Sequence, residues 1–168
     1  MKKLLLVFSI IIFSQNIFAQ TKQSDIPDSI LAKFDCPKLY KIIDSSRDKF
    51  KTIKGQRKTS KYTEAYISKV NPKYVKSGQI TVVGKSIHYQ AFLANTPNRG
   101  IAAEEYRKIV SVVENCLEGW IIETEPEEEE QLYRFKAHEK EDMISGISVE
   151  ILFYKEKGKF LIELLIQP

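Results

Sequence analysis

The side chains here with the best claim to chemistry are two histidines and a scatter of carboxylates. His88 falls in a segment where Ser86, His88 and Gln90 share one side, and His138 in one where Arg134, Lys136 and His138 do. Alternation of this kind places successive side chains on opposite faces of a strand. Two imidazoles on one open face, joined by Glu150 or Glu163, would supply a metal site or a general acid–base pair. An ordinary surface histidine shows the same pattern, and nothing in the spacing fixes the distance between the two. The chain has no nucleophile elbow, phosphate-binding glycine loop, metalloprotease helix signature or dinucleotide fingerprint. Its acids gather in one run instead of standing in pairs at strand ends, as glycoside chemistry requires. We therefore read a non-enzyme with no cofactor and no metal, and keep a small hydrolase or metal enzyme using His88 and His138 as an alternative.

Cys36 and Cys116 are the two cysteines. Neither has a second thiol two or three residues away, which redox motifs need, and two histidines are too few for a zinc site at short spacing. An even count in an exported chain reads as a structural disulfide closing about 80 residues. Export is the expectation from residues 1–19. Lys2 and Lys3 precede the apolar run Leu4–Phe13, and Ala19 stands before the expected cut. The run is shorter than a bilayer span, so no stable membrane insertion is expected, and the location is periplasmic or secreted.

These residues must be positioned by something, and the pattern predicts an α+β fold. Residues 20–34 read as an N-terminal tail and short helix. Asp35 can cap a helix whose stripe is Leu39, Ile42, Ile43, Phe50 and Ile53, stopped by Gly55. Strands are expected at Tyr62–Val70, Gln79–Val83 and Ser86–Ala94, the last two joined by Gly84-Lys85. A second helix, Ala102–Glu118, buries Tyr106, Ile109, Val110, Val113 and Leu117 and ends at Gly119. A short strand at Trp120–Glu123 comes next, then Leu132–Glu139, Ile147–Tyr154 and Phe160–Ile166, with Lys157-Gly158 as the final turn. The order suggests a pseudo-repeat, 35–96 and 97–168, within a single domain, 35–168. Each unit would be one helix plus three strands, forming one antiparallel sheet with helices on one face. A Cys36–Cys116 bridge would then set the two helices antiparallel, side by side.

The formal charge of +4 hides a split. Residues 20–100 hold 16 Lys and Arg against 6 acids, whereas residues 101–168 hold 8 against 16. Lys54, Arg57 and Lys58 lie in the densest basic segment, and Glu127, Glu128, Glu129 and Glu130 in the densest acidic one. Two solvated faces, or halves that attract each other, would account for this; a contact surface would too. The basic segment lacks the interleaved aromatics of a nucleic-acid groove, so no nucleic acid is expected. The last two strands are apolar on both sides: Leu152, Tyr154, Leu161 and Leu165 oppose the core set. That reads as a binding groove or homodimer interface unless the short N-terminal helix covers it or these are central strands of the sheet.

Together these features favour a small exported protein-interaction module (an inhibitor, immunity or chaperone-like protein) acting through an open sheet face and its charged segments. Another protein is the expected partner. A carrier of a small apolar ligand in the same groove is the alternative. The layout is similar, in element order, to some small exported inhibitors and to secretion-chaperone-like folds; no residue role is taken from that similarity.

Overall fold

A computed structural model describes residues 35–59, 63–73, 75, 77–125, 132–139 and 146–168. The expected leader, the tail and short helix before residue 35, and Glu127–Glu130 lie outside the described residues.

Asp35 caps helix α1 (Cys36–Ser46), accepting from the Lys38 amide at 3.3 Å, with Pro37 in the first turn, where its missing N–H costs nothing. The sequence stripe runs on to Ile53, but the helix does not. Ser45 Oγ donates to the Lys41 carbonyl and Ser46 Oγ to the Ile43 carbonyl, competing with the helical ladder. Lys49 and Phe50 then turn through the left-handed region, at φ of 59° and 58°. Phe50 and Ile53 still reach the core, from a turn instead of a helix. The burial expected of them holds; the helical extent does not.

The chain then runs through β1 (Lys54–Thr59), β2 (Glu64–Ser68), β3 (Gly78–Val83) and β4 (Ser86–Thr96). Helix α2 (Arg99–Cys116) follows, capped by Asn98, which accepts from the Ile101 amide at 3.2 Å. Strands β5 (Ile121–Glu125), β6 (Leu132–His138), β7 (Ser148–Glu156) and β8 (Lys159–Gln167) complete it. All eight form one antiparallel sheet in the order β1-β2-β3-β4-β8-β7-β6-β5. Each unit is therefore a helix plus a four-stranded meander, not three strands. The correction comes from β1, whose sequence KGQRKT carries no apolar alternation, and from β5, which is a full ladder on β6. The expected turns hold: Gly84 sits at φ 60°, and Lys157 and Gly158 at 49° and 79°, as tight hairpins require.

The two meanders join at β4 and β8, and both helices lie over that joint, α1 on β8 and β4, α2 on β4, β8 and β7. The core is the layer between. Ile80, Tyr89, Phe135, Val149, Ile151, Phe153, Ile162, Leu164 and Ile166 line the sheet; Leu39, Ile42, Ile43, Ile109 and Val113 descend from the helices. Tyr106, Tyr133, Phe153 and Phe160 add an aromatic cluster with ring centroids 5.3–5.9 Å apart. Cys36 and Cys116 are bonded, with Cα atoms 5.5 Å apart, and the Tyr40 hydroxyl donates to the Cys116 carbonyl. The bridge joins the start of one helix to the end of the other. Both helices also pack down onto the sheet.

Candidate functional site

The face of the sheet turned away from the two described helices holds the apolar residues singled out in the sequence. Strand alternation and register put Leu152, Tyr154, Leu161 and Leu165 together on it. Leu161 pairs with Tyr154, Leu165 with Glu150, and Leu152 with Glu163. Apolar and acidic side chains thus interleave across β7 and β8. Phe92, opposite Glu163 on β4, is 47% exposed on the same face.

Glu150 and Glu163 are only 2% and 5% exposed, although neither described helix lies over this face. Withdrawing a carboxylate from water costs several kcal/mol unless partners satisfy it, and here they do. Glu150 Oε2 accepts from Arg134 Nε at 3.0 Å and from its terminal nitrogen at 2.7 Å, and Glu150 Oε1 accepts from Gln167 at 3.0 Å. Glu163 is met by neutral donors, the Gln90 amide on one oxygen and the Tyr154 hydroxyl at 2.9 Å on the other. Gln90 in turn accepts from Gln79 at 3.1 Å. Two hydrogen-bonded chains therefore cross the open face, one from β3 to β7 through Glu163, the other from β8 to β6 through Glu150. The Tyr154 hydroxyl is held well above the ordinary phenol range, first by burial, then by its bond to Glu163, with the Glu163 and Glu156 charges adding. It stays a donor across the working pH range.

The two histidines do not share a site. His138 pairs with Ser148, and Ser148 with Gln167, on β8; His88 is on β4, the strand beyond. Three interstrand steps of about 4.8 Å separate them, on the order of 14 Å. Sequence alternation gave each its face but could not supply the strands inserted between. His138 Nε2 lies 3.3 Å from Glu123 Oε1, within ion-pair reach but without hydrogen-bond alignment. Among the described residues no three His, Cys, Asp or Glu side chains converge as a metal site would need.

Burial lowers the His88 pKa, and Glu163 opposes the shift only in part. A folded value below the unfolded 6.5 means the unfolded chain binds the proton more readily. Stability is then complete above about pH 6.5 and falls as acidity increases toward the folded value. Denaturant titrations at pH 7.5 and pH 5.5 should show His88→Asn losing less stability on acidification than the wild type; equal losses would remove this role from His88.

The basic residues Lys54, Arg57 and Lys58 are not part of this face's cluster. They lie on β1, an edge of the sheet, with Lys54 and Arg57 toward the helix side and Lys58 toward the open side. A separate concavity lies at the end of the second helix, an open cleft of about 430 Å³ lined by Leu117, Trp120 and Ile122 with Glu114 and Glu118. Sequence reasoning mentioned Glu150 and Glu163 only as companions to histidine. The signal available was a single glutamate inside an otherwise apolar strand, in VEILF and again in LIELL.

No protein family model, curated protein or solved structure matches this chain.

Proposed function

We propose that the chain is an exported protein-interaction module that engages its partner through the open face of the sheet. The observation that carries this reading is the pair of nearly buried, fully hydrogen-bonded acids on a face that no described helix covers. Such a surface is ordered before binding, and its two buried carboxylates are satisfied internally. A partner that covers it removes little further hydration and freezes few side chains, which are the main costs of association. Phe92, Leu152 and Leu165 provide apolar area between the acids. Apolar and acidic side chains interleaved over several strands are the arrangement we read as a surface for another protein, in preference to the enclosed cavity that a small ligand requires.

Export is supported by the residues 1–19 pattern and by the bridge, since disulfides persist in oxidising compartments. Among the described residues no helix is long and apolar enough to cross a membrane.

A photo-crosslinking residue placed at Phe92, in the cell that makes the protein, tests the proposal. The same residue at Tyr40, 38% exposed on a helix, is the control. A discrete protein adduct from position 92 and none from position 40 is the expected result. No adduct at position 92, or the same adducts from both positions, overturns it.

A further inference from the structure

The two edges of the sheet carry opposite charge, and the geometry points to a second copy of this chain as the partner that joins them. Edge strand β1 presents Lys54, Arg57 and Lys58. Edge strand β5 presents Glu123, and the cleft beside it carries Glu114 and Glu118 near the negative end of the α2 dipole. Six strands lie between the two edges. Seven interstrand steps amount to about 33 Å, several times the screening length of roughly 8 Å at physiological salt. The basic and acidic edges of one molecule are not paired with each other, which leaves each for a second copy.

The direction of the strands fits this pairing. Every neighbouring pair is antiparallel and the number of strands is even, so β1 and β5 run in opposite directions. A second copy in the same orientation presents its β1 antiparallel to β5, with its helices on the same side. The faces then match. Lys58 and Glu123 both belong to the open side. Lys54 and Arg57 belong to the helix side, where Glu114, Glu118 and the Trp120 ring line the cleft. An indole with two acids is a favourable seat for a guanidinium. Pairing of like edges would oppose base to base or acid to acid, so the charges select head-to-tail addition, an open and non-closing arrangement. Charged edges also guard monomers against indiscriminate pairing. Here the guard has opposite sign at the two ends, and it excludes only the like-with-like contacts.

Strand β1 has a register shift between Lys54 and Arg57, so the length it can offer in regular ladder is short. Association then depends on charge and should be reversible and salt-sensitive.

Sedimentation velocity on three proteins tests the inference: wild type, a basic-edge reversal (Lys54→Glu, Arg57→Glu, Lys58→Glu) and an acidic-edge reversal (Glu114→Lys, Glu118→Lys, Glu123→Lys). Wild type should associate as concentration rises at low ionic strength and revert to monomer at 1 M salt, where screening acts within about 3 Å. Each reversed protein has two edges of one sign and should sediment as a monomer alone. Their equimolar mixture should associate again, since every acidic edge then meets a basic one. If a triple reversal fails to fold, the single changes Lys58→Glu and Glu123→Lys, at exposed positions, carry the same comparison. A wild type that stays monomeric at low salt overturns the inference. So does association of either reversed protein alone, which would place the contact elsewhere, or a mixture of folded reversed proteins that stays monomeric. The open-face proposal is untouched by any of these results, because it rests on different residues.

Discussion

Replacing Cys36 and Cys116 together by alanine is expected to lower the stability of the fold by about 4 to 5 kcal/mol, since the bridge closes 80 residues and restricts the unfolded chain accordingly. In a domain of this size each kcal/mol moves the melting temperature by roughly 2–4 °C, so the drop should be on the order of 10–20 °C. The helices themselves should survive in the variant. Leu39, Ile42, Ile43, Ile109 and Val113 remain seated on the sheet, and the Tyr40 hydroxyl can still reach the backbone carbonyl at position 116. The loss should therefore appear as a changed equilibrium and not as an altered native spectrum. Guanidinium unfolding followed by circular dichroism measures it, and the slope against denaturant should rise because the unbridged unfolded chain exposes more surface. A loss below about 1 kcal/mol would show that chain closure contributes little and that helix docking alone fixes the fold.

The second large effect belongs to the open face. Arg134→Met leaves Glu150 nearly buried with Gln167 as its remaining neutral donor. Breaking a buried pair by removing one partner costs roughly 3–5 kcal/mol, and the lower end applies because the guanidinium is itself partly exposed. Adding Glu150→Gln to the same chain should recover most of that loss, bringing the double variant to within about 1 kcal/mol of wild type. The four proteins form a double-mutant cycle, read by urea unfolding. An Arg134→Met protein as stable as the wild type would mean that Glu150 is satisfied without its cation, and the rigidity claimed for this face would lose its main support.

Much of this architecture could be read from the residues, and the exceptions have physical reasons. Strands β6, β7 and β8 were legible because one side of each is apolar at a period of two, and the Gly84 and Gly158 turns mark where hairpins close. The bridge followed from the count and separation of the cysteines. Strand β1 was not legible. It is an edge strand of polar residues, held by its ladder to β2 and not by burial, so it has no apolar signature. The end of α1 was misjudged because Phe50 and Ile53 keep helical spacing while Ser45 and Ser46 divert the backbone. Within the candidate site, alternation placed Leu152, Tyr154, Leu161 and Leu165 on one face, as they are. What alternation cannot give is strand order, and strand order decides the rest. It separates His88 from His138, removes Lys54, Arg57 and Lys58 to the far edge, and brings Gln90 of the first meander onto Glu163 of the second.

The joint between β4 and β8 has a consequence for how the molecule reaches its native state. Its partners, from Tyr89 with Ile166 to Thr96 with Phe160, stand more than sixty positions apart along the chain. The second helix can pack on its own meander through β7 and β8, but the core shared by the two meanders is complete only when that joint closes. Local hairpins can form early, but they gain their shared core only at the end. Long-range closure of this kind slows folding relative to local pairing, and leaves the apolar sides of β4 and β8 without their full cover until it is made. A chain that emerges unfolded from an export channel would pass through that interval outside the reach of cytoplasmic chaperones.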